Sequence, residues 1–299
     1  MLAEIIDATR FLEDPRHDGE AALRWLAARH ATRTRATRIA GEKGFTDVVV
    51  AEFGEGTRCL GILGVLGGTG MRPERPGLVS DADGAVVALA VAAALGRQWE
   101  CGDGLPGRVI VATHICPRAL VRPQLPAPMM SNPADRVQVL DAMLDPAMQA
   151  VLSVDASKAN RILNHTGFAI TPTAIQGWVL RVADDLLDLQ QAVTGEAPVV
   201  LPITTQDITP YGSGVRHINS IMQPATRTPA PVVGVALTAA ATVAGSATGA
   251  NQPFALDQAG RFCVEVARGF TAGRCAFHAE EELATLIGRY GSLERLQRL

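Results

Sequence analysis

Residues 59–98 constrain the fold more than any other stretch. Cys59–Leu66 is a continuous apolar run that breaks at Gly67-Gly-Thr-Gly70, and beyond Ser80-Asp-Ala-Asp83 the chain continues through residues 84–98, apolar on every side up to Leu95. A strand without polar alternation is buried on both faces, as in a largely parallel sheet. A helix that is apolar all round must be covered all round. The pair therefore predicts an α/β layered fold with a strand at 59–66, a glycine loop and a helix over 84–98. Asp81 and Asp83 fall at the mouth of that helix, where free N–H groups stabilise a carboxylate in its charged form. That placement suits a metal ion or a substrate ammonium, and it equally suits ordinary helix capping.

The 299 residues include 47% hydrophobic and only 4% aromatic side chains, enough for a substantial core packed from small aliphatic groups. Net charge is −3 with both signs interspersed, which leaves no basic surface for nucleic acid and none for a membrane. The longest apolar runs, at 85–95 and 231–244, are too short to span a bilayer. Five scattered cysteines form no CxxC pair, so neither a disulfide framework nor a thiolate zinc knuckle is expected. The N-terminus lacks the basic start and apolar block of a signal peptide, and a reducing, cytoplasmic setting is the expectation.

Periodicity predicts helices at 2–13 and 18–30, strands at 35–39 and 46–53, and a buried strand at 108–113. A proline-rich stretch at 116–132 excludes regular helix and reads as an insertion in a single domain covering 1–299. Its Met129 and Met130 offer an apolar arm suited to a second subunit, so a homo-oligomer is expected. Helix follows within 132–150, then a strand at 151–155, a strand at 168–171, a helix over 175–193 and a strand at 199–203. The chain ends with a strand at 231–237, a helix over 256–270 and a helical region at 278–298.

In open α/β sheets the ligand crevice lies at the carboxyl ends of the strands, and polar residues gather at those ends here. Thr69 follows the first buried strand, His114 and Cys116 the second, and Asp155, Ser157 and Lys158 the third. The loop 204–219 holds Thr205, Asp207, Tyr211, Arg216, His217 and Asn219, and loops this long and polar are usually functional. The small-residue run Gly245–Gln252 permits close approach of backbone N–H groups to an anion or a carbonyl. Carboxylates and imidazole converging from separate strands are what a Zn²⁺ or Mn²⁺ hydrolase uses. On that reading Asp81, His114 and Asp155 are the metal-ligating candidates, and His114, Asp207 and His217 the catalytic ones. Thr69, Asp83, Thr205, Tyr211, Arg216 and Asn219 are the substrate-binding candidates.

The strings Gly67-Gly-Thr-Gly-Met-Arg-Pro-Glu, Val79-Ser-Asp-Ala-Asp-Gly-Ala, Thr113-His-Ile-Cys-Pro, Gly167-Phe-Ala-Ile-Thr-Pro-Thr and Thr204-Thr-Gln-Asp-Ile-Thr-Pro-Tyr-Gly resemble a bacterial and archaeal family known as domain of unknown function 1177. That likeness runs over nearly the entire chain and brings no established activity. More distantly, the order of elements is similar to zinc-dependent exopeptidases of the aminopeptidase type. This second resemblance implies a three-layer αβα sandwich around a largely parallel mixed sheet. It makes Asp81 similar to their bridging aspartate, sets His114 near their Glu-Glu position, makes Asp155 similar to their later single aspartate, and leaves Asp207 as a substitute ligand. The departures are that Gly67-Gly-Thr stands where His-x-Asp belongs, no Glu pair follows Thr113, and Ala247-Thr248 occupies the place of the final histidine. The resemblance thus implies either a remodelled one-metal site or a metal-free pocket.

Three functions follow as expectations. The first is a metal-dependent hydrolase of amide bonds in small peptides or amino-acid derivatives. The second is a metal-free small-molecule-binding or regulatory protein on a degenerate exopeptidase scaffold. The third is a cofactor-independent isomerase or racemase in which Cys116 works with His114 or His217.

Overall fold

A computed structural model of the chain describes residues 1–42, 44–65, 78–117, 119–122, 129–158, 162–217, 219–241 and 251–298. Thr69, the Gly67–Gly70 loop and most of the 245–252 run lie outside them.

The chain opens with helices α1 (Leu2–Glu13) and α2 (Gly19–Ala27), the latter started by Asp18, whose carboxylate accepts from the Ala21 N–H. Strands β1 (Arg33–Gly41), β2 (Gly44–Phe53) and β3 (Cys59–Gly64) follow. Next come α3 (Asp83–Glu100), β4 (Arg108–Ile115), the short strands β5 (Leu120–Arg122) and β6 (Met129–Ser131), α4 (Arg136–Met143) and β7 (Ala150–Ala156). Strands β8 (Gly167–Ile170), β9 (Ala174–Ile175) and β10 (Trp178–Val179) lead into α5 (Asp184–Thr194). Strand β11 (Val232–Thr238) and helices α6 (Pro253–Thr271) and α7 (Glu280–Tyr290) complete the sequence.

One sheet takes the order β1-β2-β4-β3-β7-β11-β9-β10, with β8 also on β11. Its centre, β4-β3-β7-β11, is parallel, whereas β1 and β2 join antiparallel on one side and β8, β9 and β10 on the other. It is the mixed, centrally parallel sheet that the continuous apolar runs predict. Alternate residues of the strands feed two apolar clusters, one on each face. One cluster packs α1, α2, α3, α5 and α6 against residues such as Ile62, Val111, Leu152 and Val235. The other packs α4 and two short 3-10 helices against Leu63, Ile110, Val151 and Val232. No helix among the described residues is long and apolar enough to cross a membrane.

Helix α3 is buried continuously from Asp83 to Gly96, as its composition requires. Its first turn lies hard against the sheet: a Cβ added at Gly84 would sit 2.4 Å from the Val154 carbonyl oxygen and 2.7 Å from that of Val65. Glycine is the residue that lets these backbones meet.

Three expectations are corrected. The helix anticipated from 175 begins only at Asp184, because Gln176 (φ 50°) and Gly177 (φ 78°) turn the chain into the hairpin β9–β10. Two successive positive φ values make the tight turn that matches strand twist. The strand anticipated at 199–203 reduces to a single bridge between Val200 and Ile170, since Pro202 has no N–H to extend a ladder. The terminal helix stops at Tyr290, where Gly291 takes φ 79°, and resumes as a 3-10 turn at Glu294–Gln297. Within 116–132, β5 and β6 pair as a two-stranded sheet separate from the main one.

Candidate functional site

The parallel strands deliver their last residues to one rim. Gly64, the end of β3, pairs with Thr113 on one side and Val154 on the other. His114 and Asp155 therefore each stand one residue beyond Gly64, two strands and about 10 Å apart. Alternation turns both toward the face covered by α4 and the 3-10 helix Ser220–Thr226. Both are buried, at 3% and 1% exposure.

Asp155 is the most perturbed carboxyl on this face. Its Oδ1 accepts from the Ala156 N–H at 2.8 Å and its Oδ2 from the Ser220 hydroxyl at 3.1 Å. Burial pushes its pKa up to about 7; the Arg136 guanidinium pulls it down and the nearby charge of Asp81 pushes it up. His114 moves the other way. Burial, helped by the positive charge of Arg136, lowers it to about 3, so the imidazole is neutral at ordinary pH. Its Nδ1 lies 3.0 Å from the Thr46 hydroxyl, which fixes the ring. A nitrogen so weakly basic is a poor proton acceptor, and Asp155 is the better-matched acid or base of the two.

Asp83 lies inside the protein rather than at the open rim. Its carboxylate forms an ion pair with Lys158 and accepts from the Asn251 side-chain amide at 2.6 Å, while the same amide donates to the Val79 carbonyl at 3.2 Å. Asp83 and Lys158 are 0% and 4% exposed. The helix start was expected to hold Asp83 charged; burial instead raises its pKa, with Lys158 and Asn251 drawing it back. The cap position of α3 falls to Ala82, which makes no side-chain cap bond. Asp81 sits in the 3-10 turn Ser80–Ala82 just before it.

The polar loop is braced by Asp207, which is fully buried. Its Oδ2 accepts from the Thr204 N–H at 2.8 Å and its Oδ1 from the Asn219 N–H at 2.9 Å, tying the two ends of the loop together. Gln223 reaches back to the Tyr211 N–H and the Thr209 carbonyl. His217 packs edge-on against Tyr211 at 4.9 Å between ring centres, with its Nε2 2.8 Å from the Thr209 carbonyl. Thr205 and Arg216 are exposed. Of this loop, Tyr211 approaches the rim: burial raises its pKa, against the opposing effects of Arg136 and of a hydrogen bond with Ser220. Ser220 thus links Tyr211 to Asp155. Cys116 is buried and its Sγ donates to the Phe45 carbonyl at 3.5 Å.

Three residues of this neighbourhood carry almost no sequence signal: Thr46, Ser220 and Arg136. Arg136 alone leaves a trace, because a cation in the first turn of a helix opposes the helix dipole. Its guanidinium lies 5.1 Å from the Tyr211 ring centre.

The sequence over residues 34–299 matches the family described as "Protein of unknown function (DUF1177)". The chain belongs to this family. No curated protein matches the DUF1177 chain. Solved structures share its fold: the bottromycin maturation enzyme BotP at TM-score 0.53 and 16% identity, with 90% of this chain and 70% of that one covered. The leucine aminopeptidase LAP1 of Caenorhabditis elegans follows at 0.53 and 11%, covering 90% of this chain and 65% of the other, just under two thirds of its length. BotP in complex with Mn superposes at 0.51 and 16%, covering 90% and 71%. At these identities the likeness shows the exopeptidase-like fold.

The donor types at the DUF1177 rim suit a cation: two carboxylates that sense one another, and a neutral imidazole whose far nitrogen is oriented by Thr46, the usual arrangement behind a metal-bound histidine. Spacing does not complete a metal cage. Among the described residues no three His, Cys, Asp or Glu side chains stand close enough to enclose an ion.

Proposed function

We propose that this chain hydrolyses amide bonds of small peptides or amino-acid derivatives at the C-terminal rim of its sheet, with Asp155 as the proton carrier. The observation that carries the reading is the state of Asp155: a buried strand-end carboxyl, oriented by Ser220 and brought near neutral pKa. In its ionised form it takes a proton from the attacking water, and in its protonated form it returns one to the departing amine. Asp81, whose negative charge reaches Asp155, holds the substrate ammonium, for which one or two acceptors suffice. The neutral His114 and the Tyr211 hydroxyl polarise and orient the substrate. Thr205, Arg216, His217 and Asn219 contact the distal part of the substrate in this reading, and Thr69, which lies outside the described residues, is a further substrate-binding candidate.

The fold shared with an aminopeptidase supports this choice of reaction class, and the experiment is direct. Purified protein is incubated with a panel of dipeptides and amino-acid amides, and released amine is measured. Turnover of at least one member that falls on Asp155→Asn supports the reading; no turnover of any member opposes it.

A second form of the proposal places Zn²⁺ or Mn²⁺ on Asp81, His114 and Asp155, and the Mn complex of BotP favours it. It requires Asp81, His114 and Asp155 to draw together on binding, since as they stand the three do not enclose an ion. Loss of turnover on EDTA treatment, restored by Mn²⁺, would establish this form, and unchanged turnover would dismiss it. The reading further takes the protein as a cytoplasmic homo-oligomer that associates through the β5–β6 arm. Light scattering on the full chain tests that assembly.

A further inference from the structure

Arginine binds carboxylates best through the edge formed by Nε–H and Nη2–H, which offers two parallel donors to two oxygens. This protein uses that edge repeatedly. Arg227 applies it to Asp141, with both bonds at 2.7 Å, and Arg38 applies it to Asp47 at 2.8 and 2.9 Å. Arg136 departs from the pattern: its Nε and Nη2 are both buried, and neither has a hydrogen-bond partner. A guanidinium edge taken out of water without a partner loses hydration it does not recover, so such an edge points to a group supplied from outside.

The surroundings show where that group would come from. Arg136 lines a cleft of about 730 Å³ together with Tyr211, Gln223, Arg227, Gln297 and Arg298. The other two guanidinium groups of the cleft are already matched, Arg227 by Asp141 and Arg298 by Glu294 at 2.7 Å. Arg136 is held in place by the Tyr211 ring and exerts its charge on Asp155, Tyr211 and His114, so it stands between the cleft and the rim.

We propose that the unpartnered Nε–Nη2 edge of Arg136 is a carboxylate-binding subsite, and that the substrates of this protein carry a free carboxylate seated there with the body of the molecule in the adjoining cleft. The inference rests on the hydrolase reading for the word substrate, but the subsite itself is a binding claim and is tested without turnover. With Asp81 taking an ammonium, it narrows the substrate class to zwitterionic amino-acid derivatives and short peptides with a free C-terminus. A planar two-oxygen acid fits the edge as Asp141 fits Arg227.

The test uses the full chain and three probes: N-acetyl-L-alanine, its neutral relative N-acetyl-L-alaninamide, and inorganic phosphate. The probes lack an ammonium group, so binding reports on Arg136 rather than on Asp81 or on hydrolysis. Ligand-observed NMR titration is expected to show the acid binding at millimolar concentrations, with the amide and phosphate each weaker by about tenfold or more. Arg136→Gln and Arg136→Lys should both lose about tenfold or more, the lysine because it keeps the charge without the two-donor edge. Arg261→Gln, on α6 and paired with Asp257, should leave binding unchanged. Equal binding of acid and amide, phosphate binding as tight as the acid, an unaffected Arg136→Lys variant, or no acid binding at all would each overturn the proposal. Should Arg136→Gln fail to fold by circular dichroism, the comparison of acid with amide on the native chain still decides.

Discussion

The carboxylate of Asp83 and the ammonium of Lys158 form an ion pair inside the protein, joining the first turn of α3 to the residue that follows β7 by two places. Asn251 adds a third strand of chain to the knot through its bond to Asp83. Because both groups are out of water, removing the Lys158 ammonium leaves the Asp83 carboxylate without its cation. Lys158→Met is expected to cost about 3–5 kcal/mol in chemical denaturation. The double variant Asp83→Asn with Lys158→Met should recover a large part of that loss, and a double variant no more stable than the single one would contradict the pairing.

Helix α3 should tolerate almost nothing at Gly84. A methyl group there meets the Val154 carbonyl oxygen at 2.4 Å, and both partners are backbone. Overpacking of this kind costs about 1–3 kcal/mol or more. Gly84→Ala is therefore expected to lower the unfolding midpoint in urea, whereas Gly288→Ala, with open space around it, should not.

Stability should depend on pH through two groups of opposite sign. Asp155 rises from its ordinary value of 3.8 to about 7, so the folded protein holds a proton that the unfolded chain releases. Its contribution is complete below about pH 4 and is lost as pH rises through about 7. His114 falls from 6.5 to about 3, so its contribution is complete above 6.5 and is lost as pH falls toward 3. Each can contribute a slope of about 1.4 kcal/mol per pH unit within its window. Asp155→Asn should accordingly gain stability relative to the native chain between pH 5 and pH 8, as followed by urea unfolding. His114→Gln should lessen the loss of stability between pH 6 and pH 4.

Much of this was legible in the residues themselves. The unbroken apolar runs at 59–66, 108–113 and 231–237 locate the parallel centre of the sheet, because strands buried on both faces have no room for polar alternation. Strand-end positions likewise bring His114 and Asp155 to one rim. What the sequence hides is set by long-range burial. Asp207 looks like a reactive acid in a polar loop, yet its oxygens hold Thr204 and Asn219. Gln176-Gly177 reads as a helix interior until both positive φ values are seen. Arg136 becomes informative only when the partners of its donors are followed through the fold, since a lone arginine in a short helix is ordinarily a solvated cation.

Ser220 should act on the reaction through Asp155. Its hydroxyl bonds to the carboxylate and favours the charged form. Ser220→Ala is expected to move the apparent pKa of kcat/KM upward by on the order of half a unit to one unit. A variant that lost rate uniformly, without moving the profile, would mark Ser220 as structural only.

The pH–rate profile of amide hydrolysis, measured on the native chain and on Asp155→Asn, decides whether Asp155 is the proton carrier. The native profile should rise with pH through about 7, the value of the Asp155 carboxyl, and Asp155→Asn, still folded by circular dichroism, should lose at least about a hundredfold in kcat. A folded Asp155→Asn protein that hydrolyses amides at the native rate, with the same rise through pH 7, would contradict the account.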